Sequence, residues 1–119
     1  MTASELRIGN WVIFNNHLIK EQQVTFLKSN ADLSEISPIP ITEEWLIKLG
    51  FTHDQVFDKY FIYLPLDKYL LEKLSFRTNE GFICLDGIKY RTLLKTVTHV
   101  HQLQNLYFAL SGQELTIQP

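Results

Sequence analysis

The chain has 119 residues, 45% of them hydrophobic, and eleven lysines and arginines against thirteen aspartates and glutamates leave a formal net charge of -2. A chain of this length builds one core and buries roughly two thirds of its unfolded surface, and its apolar content excludes the disordered and fibrous classes. The slightly acidic balance disfavours binding to duplex DNA, whose partners carry a basic footprint, although Lys89, Arg91 and Lys95 are close enough in sequence to form a local positive patch.

From Leu6 to Phe14 the pattern is short, apolar and rich in β-branched and aromatic residues, and Asn15-Asn16 tolerates the left-handed conformations of a tight turn. A hairpin follows, with a second strand from about His17 to Leu27. Lys28 to Glu35 reads as a loop, and Pro38 and Pro40 keep the next residues extended. Thr42 is placed as the N-cap of a short helix near residues 42–50. Glu43 and Glu44 lie in its positively polarised first turn, Trp45, Leu46 and Leu49 share a face, and Gly50 stands past its end.

Apolar runs at Tyr60 to Leu66, Tyr69 to Phe76, Phe82 to Leu85 and Ile88 to Leu94 are separated by turn-forming residues, of which Asp86-Gly87 is the strongest hairpin signal. They predict an antiparallel meander of three or four strands, with a helical turn as the alternative for Tyr69 to Leu74. Val100, Leu103, Leu106, Tyr107 and Leu110 recur at helical spacing after Thr98, a capping residue, and before Ser111-Gly112. That face should meet the sheet while Gln104 stays in solvent, and Leu115 to Ile117 should return as an edge strand. The expected fold is a single α+β domain over residues 1–119. An antiparallel β-sheet, made of an N-terminal hairpin and a central meander, packs against a C-terminal helix.

Cys84, the lone cysteine, stands between Ile83 and Leu85, so no intrachain disulfide forms and the thiol reads as a small buried hydrophobe in a reducing compartment. Residues 1–10 carry no apolar stretch of signal-peptide length, and no window reaches the ~18 apolar residues of a membrane span. A cytoplasmic protein without membrane association is therefore expected.

Candidate chemistry is sparse. His99 and His101 could share a metal only if His99 were still extended, because positions two apart on a helix face different ways, and no carboxylate partner lies near them in sequence. No Gly-x-Ser-x-Gly elbow, His-Glu-x-x-His helix or glycine-rich phosphate loop occurs, and Glu43-Glu44 is explained by the helix start. Gln102, Gln104 and Asn105 beside Tyr107 and Phe108 could hydrogen-bond and stack on a planar ligand, and Lys89 and Arg91 could hold phosphates. A solvated amide face is the simpler account of those glutamines. Trp11, Tyr60, Tyr63, Tyr69 and Tyr90 could line a binding surface, although aromatics at strand positions more often form cross-strand pairs.

The stretches ELRIGNWV (Glu5 to Val12), SPIPITEEWLIKLGF (Ser37 to Phe51) and HVHQLQNLYFALSGQEL (His99 to Leu115) resemble a family of small uncharacterised proteins of Bacteroidetes-group bacteria and their phages and mobile elements. The three blocks cover about a third of the chain in order, and none is a catalytic signature. The resemblance implies a mobile-element origin and brings no site residues with it. Taken together, the expectation is a non-enzymatic binding module without a cofactor or metal that captures a host macromolecule. A nucleotide sponge held by Lys89, Arg91, His99, His101, Gln102 and Asn105 is the second reading, and a small histidine-based enzyme the third. The partner is then a protein or a small nucleotide, and self-association into a homo-oligomer stays open.

Overall fold

The computed structural model describes residues 6–15, 19–23, 36–65, 72–78, 81–86 and 91–118. The N-terminal apolar run is interrupted before it becomes a strand. The Asn10 N–H donates to the Arg7 carbonyl (3.0 Å) and the Asn10 Oδ1 accepts from the Arg7 N–H (2.7 Å). These bonds close a turn around Gly9, whose φ of 100° is costly for any residue with a Cβ. Strand β1 (Trp11–Asn15) consequently starts five residues later than the apolar pattern suggested. It pairs antiparallel with β2 (Ile19–Gln23), Trp11 opposite Gln23 and Asn15 opposite Ile19, which is the expected hairpin with a shorter first strand. Its other edge takes β3 (Ile36–Ser37), giving a three-stranded sheet in the order β2-β1-β3. Residues 16–18 and 24–35, which hold the turn and the rest of the expected second strand, lie outside the described residues.

Helix α1 (Glu43–Lys48) forms where the local signals put it. The Thr42 hydroxyl accepts from the Trp45 N–H at 3.3 Å, and the acidic first turn and Lys48 in the last turn both suit the helix dipole. It ends in a Schellman arrangement. The Phe51 N–H returns to the Leu46 carbonyl and the Gly50 N–H to that of Ile47, both at 3.0 Å, with Gly50 at φ 96°.

A five-stranded antiparallel sheet follows, β4 (Thr52–Asp54), β5 (Lys59–Tyr63), β6 (Lys73–Phe76), β7 (Phe82–Asp86) and β8 (Arg91–Thr96), each strand beside its sequence neighbour. The meander thus has five strands, one more than the upper expectation of four. The addition is β4, a Thr-His-Asp tripeptide with no apolar alternation to betray it. Lys73 and Leu74 are extended, against the helical alternative for this stretch, while Tyr69 to Leu71 lie outside the described residues. Asp86 pairs with Arg91, so the Asp86-Gly87 signal does mark a chain reversal, with residues 87–90 again outside the described ones. Register sorts the side chains, because residues directly opposite share a face. Tyr60, Phe76 and Ile83 form one row and Ile62, Leu74 and Leu85 the next, and both rows join the core.

Helix α2 (Val100–Ser111) closes the core, but it is rolled about its axis relative to the apolar pattern. Its buried residues are Val100, His101, Leu103, Gln104 and Tyr107, while Leu106 and Leu110 pack only partly buried at the margin. The N-cap is His99 rather than Thr98, since the Gln102 side-chain oxygen accepts from the backbone N–H groups of both Thr98 (2.9 Å) and His99 (3.2 Å). Ile39 supplies a further partner, its carbonyl accepting from the Val100 N–H at 2.8 Å. At the other end Gly112 adopts φ 73° as the left-handed cap. The tail beyond it is not the expected edge strand. Leu115 is buried, and the Gln118 N–H donates to the Lys48 carbonyl at 2.7 Å, capping the C-terminal end of α1.

The two sheets share one core with both helices. Trp11 of β1 meets Trp45 of α1 with ring centroids 5.5 Å apart, and Leu46, Leu49, Leu64, Leu74, Ile83, Val97, Val100 and Leu103 fill the space between helices and meander. No helix is long and apolar enough to cross a membrane among the described residues.

Candidate functional site

The residues singled out for ligand binding are mostly occupied in holding the fold. Gln104, far from being solvated, is 1% exposed. Its Oε1 accepts from the Trp11 N–H (2.8 Å) and its Nε2 donates to the carbonyls of Gly9 (3.1 Å) and Leu115 (3.2 Å). Asn105 accepts from Arg7 Nη1 (2.8 Å) and from the buried Asn10 Nδ2 (3.0 Å), while Gln102 caps α2. Arg7 also pairs with Glu114 and lies 4.0 Å from the centroid of the Phe108 ring. The amide face of α2 is therefore a clasp that binds the Leu6–Trp11 segment and the C-terminal tail to the helix. A planar ligand would have to displace those bonds.

His99 is extended, at φ -131° and ψ 152°, and its ring stacks on that of His101 at 6.1 Å. The geometric condition for a shared metal is met by the backbone, yet no group of three or more His, Cys, Asp or Glu residues is placed to hold an ion among the described residues. Of the two basic candidates, Arg91 opens β8, and Lys89 lies outside the described residues. Cys84 is buried, as its neighbours implied. Behind the sheet, the Ser75 hydroxyl donates to Asp86 Oδ2 at 2.8 Å, and Lys59 Nζ approaches the same oxygen at 3.3 Å. This trio resembles a nucleophile with its partners, but Ser75 is 1% exposed and no substrate atom reaches a hydroxyl so enclosed.

The richest accessible chemistry lies elsewhere, where α1 meets the β4–β5 hairpin and the tail. A groove of about 540 Å³ is lined by Glu43, Glu44, Ile47, Lys48, Tyr60 and Gln118. Its size is that of a pocket for a small ligand or a few side chains. Burial, and after it the hydrogen bond to the Glu43 carboxylate with the charges of Glu43 and Asp58, holds the Tyr60 phenol above its ordinary pKa of 10.0. His53 stacks on Tyr60 at 4.7 Å, and its Nε2 lies 3.0 Å from Asp58 Oδ1. Lys48 is drawn to Glu44 at 3.2 Å.

Side-chain hydrogen bonds close the hairpin turn. Asp54 Oδ1 accepts from the N–H groups of Val56 (3.0 Å) and Phe57 (3.3 Å), and Asp58 takes a left-handed φ of 50° that suits aspartate better than most residues. This geometry holds Val56 83% exposed and Phe57 61% exposed at the tip. Comparison with protein-family models, curated proteins and solved structures finds no match to the chain. The site therefore stands on its own geometry.

The sequence pointed to the histidines and amides of α2; of the groove's lining it singled out Tyr60, as one aromatic of a possible binding surface, and read Glu43-Glu44 as a helix start. At the hairpin tip the one visible signal was Val56-Phe57, an apolar pair between Asp54 and Asp58 in a stretch without alternation.

Proposed function

We propose that the protein is a non-enzymatic binding module that captures another protein through the β4–β5 hairpin tip and the groove beside it. The observation that carries this reading is the presentation of Val56 and Phe57. Solvating two large apolar side chains at a turn fixed by Asp54 and Asp58 is unfavourable, and pre-organised apolar anchors are what interface hot spots are built from. Isolated exposed apolar residues are common on protein surfaces, and what distinguishes this pair is the hydrogen-bonded turn that presents it and the groove lined by Tyr60 of the same hairpin. We read it further as an accessory protein of a phage or mobile element that acts on a host macromolecule inside the cell.

Affinity capture from a bacterial host lysate tests this directly. The wild-type chain should retain a partner that the Val56→Ser/Phe57→Ser double variant loses, with both proteins equally folded by circular dichroism. Turnover of nucleotides or esters by the purified chain, with no partner retained, would overturn it.

A further inference from the structure

We propose that the groove and hairpin tip take a basic, apolar segment of the partner, one that sets a lysine or arginine beside a large apolar side chain. This rests on the binding-module reading and adds the chemistry of the occupant.

Acidic groups surround an apolar centre. Ile47 and Tyr60 lie in the groove with Glu43 and Glu44 on its wall, and Val56 and Phe57 stand between Asp54 and Asp58. The two halves are joined through Tyr60, which lines the groove, stacks on His53 and feels the charge of Asp58. Of the nearby lysines, Lys48 pairs with Glu44, and Lys59 reaches Asp86 behind the sheet with its Nζ 5.5 Å from the centroid of the Phe57 ring. Glu43, Asp54 and Asp58 remain as acidic groups, and a carboxylate that accepts one hydrogen bond keeps further acceptor sites. A phosphate, a nucleic acid or an anionic lipid surface would be repelled here, whereas an ammonium or guanidinium would gain a carboxylate, and the Lys59 ammonium already over the Phe57 ring shows that this ring accepts a cation. The groove's volume of about 540 Å³ suits a few side chains rather than a folded surface.

The test uses the full chain and defined probes. A set of short fluorescein-labelled peptides places one lysine or arginine beside one leucine, phenylalanine or tryptophan in every order, and a matched set replaces each basic residue by glutamate. Fluorescence anisotropy should show saturable binding of members of the basic set and none of the acidic set at the same concentrations. Glu43→Gln with Asp58→Asn, two exposed positions where the amides preserve shape, should weaken binding about tenfold at low ionic strength and less at high. Phe57→Ser should weaken it further. Equal binding of the two sets, no binding of the basic set, or an unchanged affinity in the amide variant would each overturn the proposal. If the basic set fails while lysate capture still depends on Val56 and Phe57, the partner chemistry is wrong and the binding module stands.

Discussion

Replacing Gln104 by alanine should be among the most damaging single changes to a polar residue in this chain. The side chain is fully enclosed and satisfies three backbone groups, the Trp11 N–H and the Gly9 and Leu115 carbonyls, belonging to three segments far apart in sequence. A protein hydrogen bond contributes about 1 kcal/mol net, and a buried group left without a partner costs about 1–3 kcal/mol. Truncation therefore costs about 3 kcal/mol or more, a large share of a total stability of about 5–15 kcal/mol. For a domain of this length the midpoint falls by about 4 °C per kcal/mol, so the melting temperature should drop by about 12 °C. Urea denaturation read by tryptophan fluorescence gives the free energy independently, and Trp11 at the affected junction makes the signal local. Gln104→Leu separates packing from polarity, since it keeps most of the volume and loses all three bonds, and it should recover only a minor part of the loss. A Gln104→Ala change of less than about 0.5 kcal/mol, the value of an ordinary surface substitution, would refute the buried clasp and the orientation of α2 with it.

Three further outcomes follow from the packing. Leu103→Ala, at a fully buried position, should cost about 2–5 kcal/mol, and Leu106→Ala, at the margin, distinctly less in the same denaturation assay; the reverse order would mean the helix is rolled the other way. Gly50→Ala should destabilise the chain, because φ is 96° and the added Cβ would stand 3.0 Å from Gln118 Cγ; an unchanged melting temperature would remove the strain argument. Tyr60 and Tyr107 both have phenols raised above 10.0, Tyr60 by burial and then Glu43, and Tyr107 by burial. The stability they contribute is complete below the unfolded-state value and is lost as pH rises through the folded ones. Tyr60→Phe should flatten the fall in melting temperature on the alkaline side of pH 10.0, and an equally steep fall in the variant would contradict the assignment.

The parts of the fold that local chemistry dictates were legible in the sequence. Thr42, Glu43, Glu44 and Gly50 announce α1 through caps and dipole, and Asp86-Gly87 announces the reversal between β7 and β8. What the sequence hid depends on distant partners. The spacing of Val100, Leu103 and Tyr107 fits a helix face that continues to Leu106 and Leu110 or one that includes Gln104. Only Gly9 and Trp11, more than ninety residues away, decide for the second. The same holds for the tail, where Leu115 to Ile117 alternates like a strand but finds the end of α1 instead of a sheet edge. The candidate site was the least legible element, because β4 has no strand pattern and its hairpin is shaped by side-chain bonds from Asp54 and a left-handed Asp58.

If the β4–β5 hairpin tip is the contact surface, a partner should crosslink to it, and site-specific photo-crosslinking measures that. Benzoylphenylalanine placed at Phe57, and in a separate chain at Leu93 on the exposed edge of β8, is irradiated in a host lysate. The chain labelled at Phe57 should give a discrete, saturable crosslinked species and the chain labelled at Leu93 none. Crosslinking from Leu93 alone would contradict it and move the contact surface to the sheet edge.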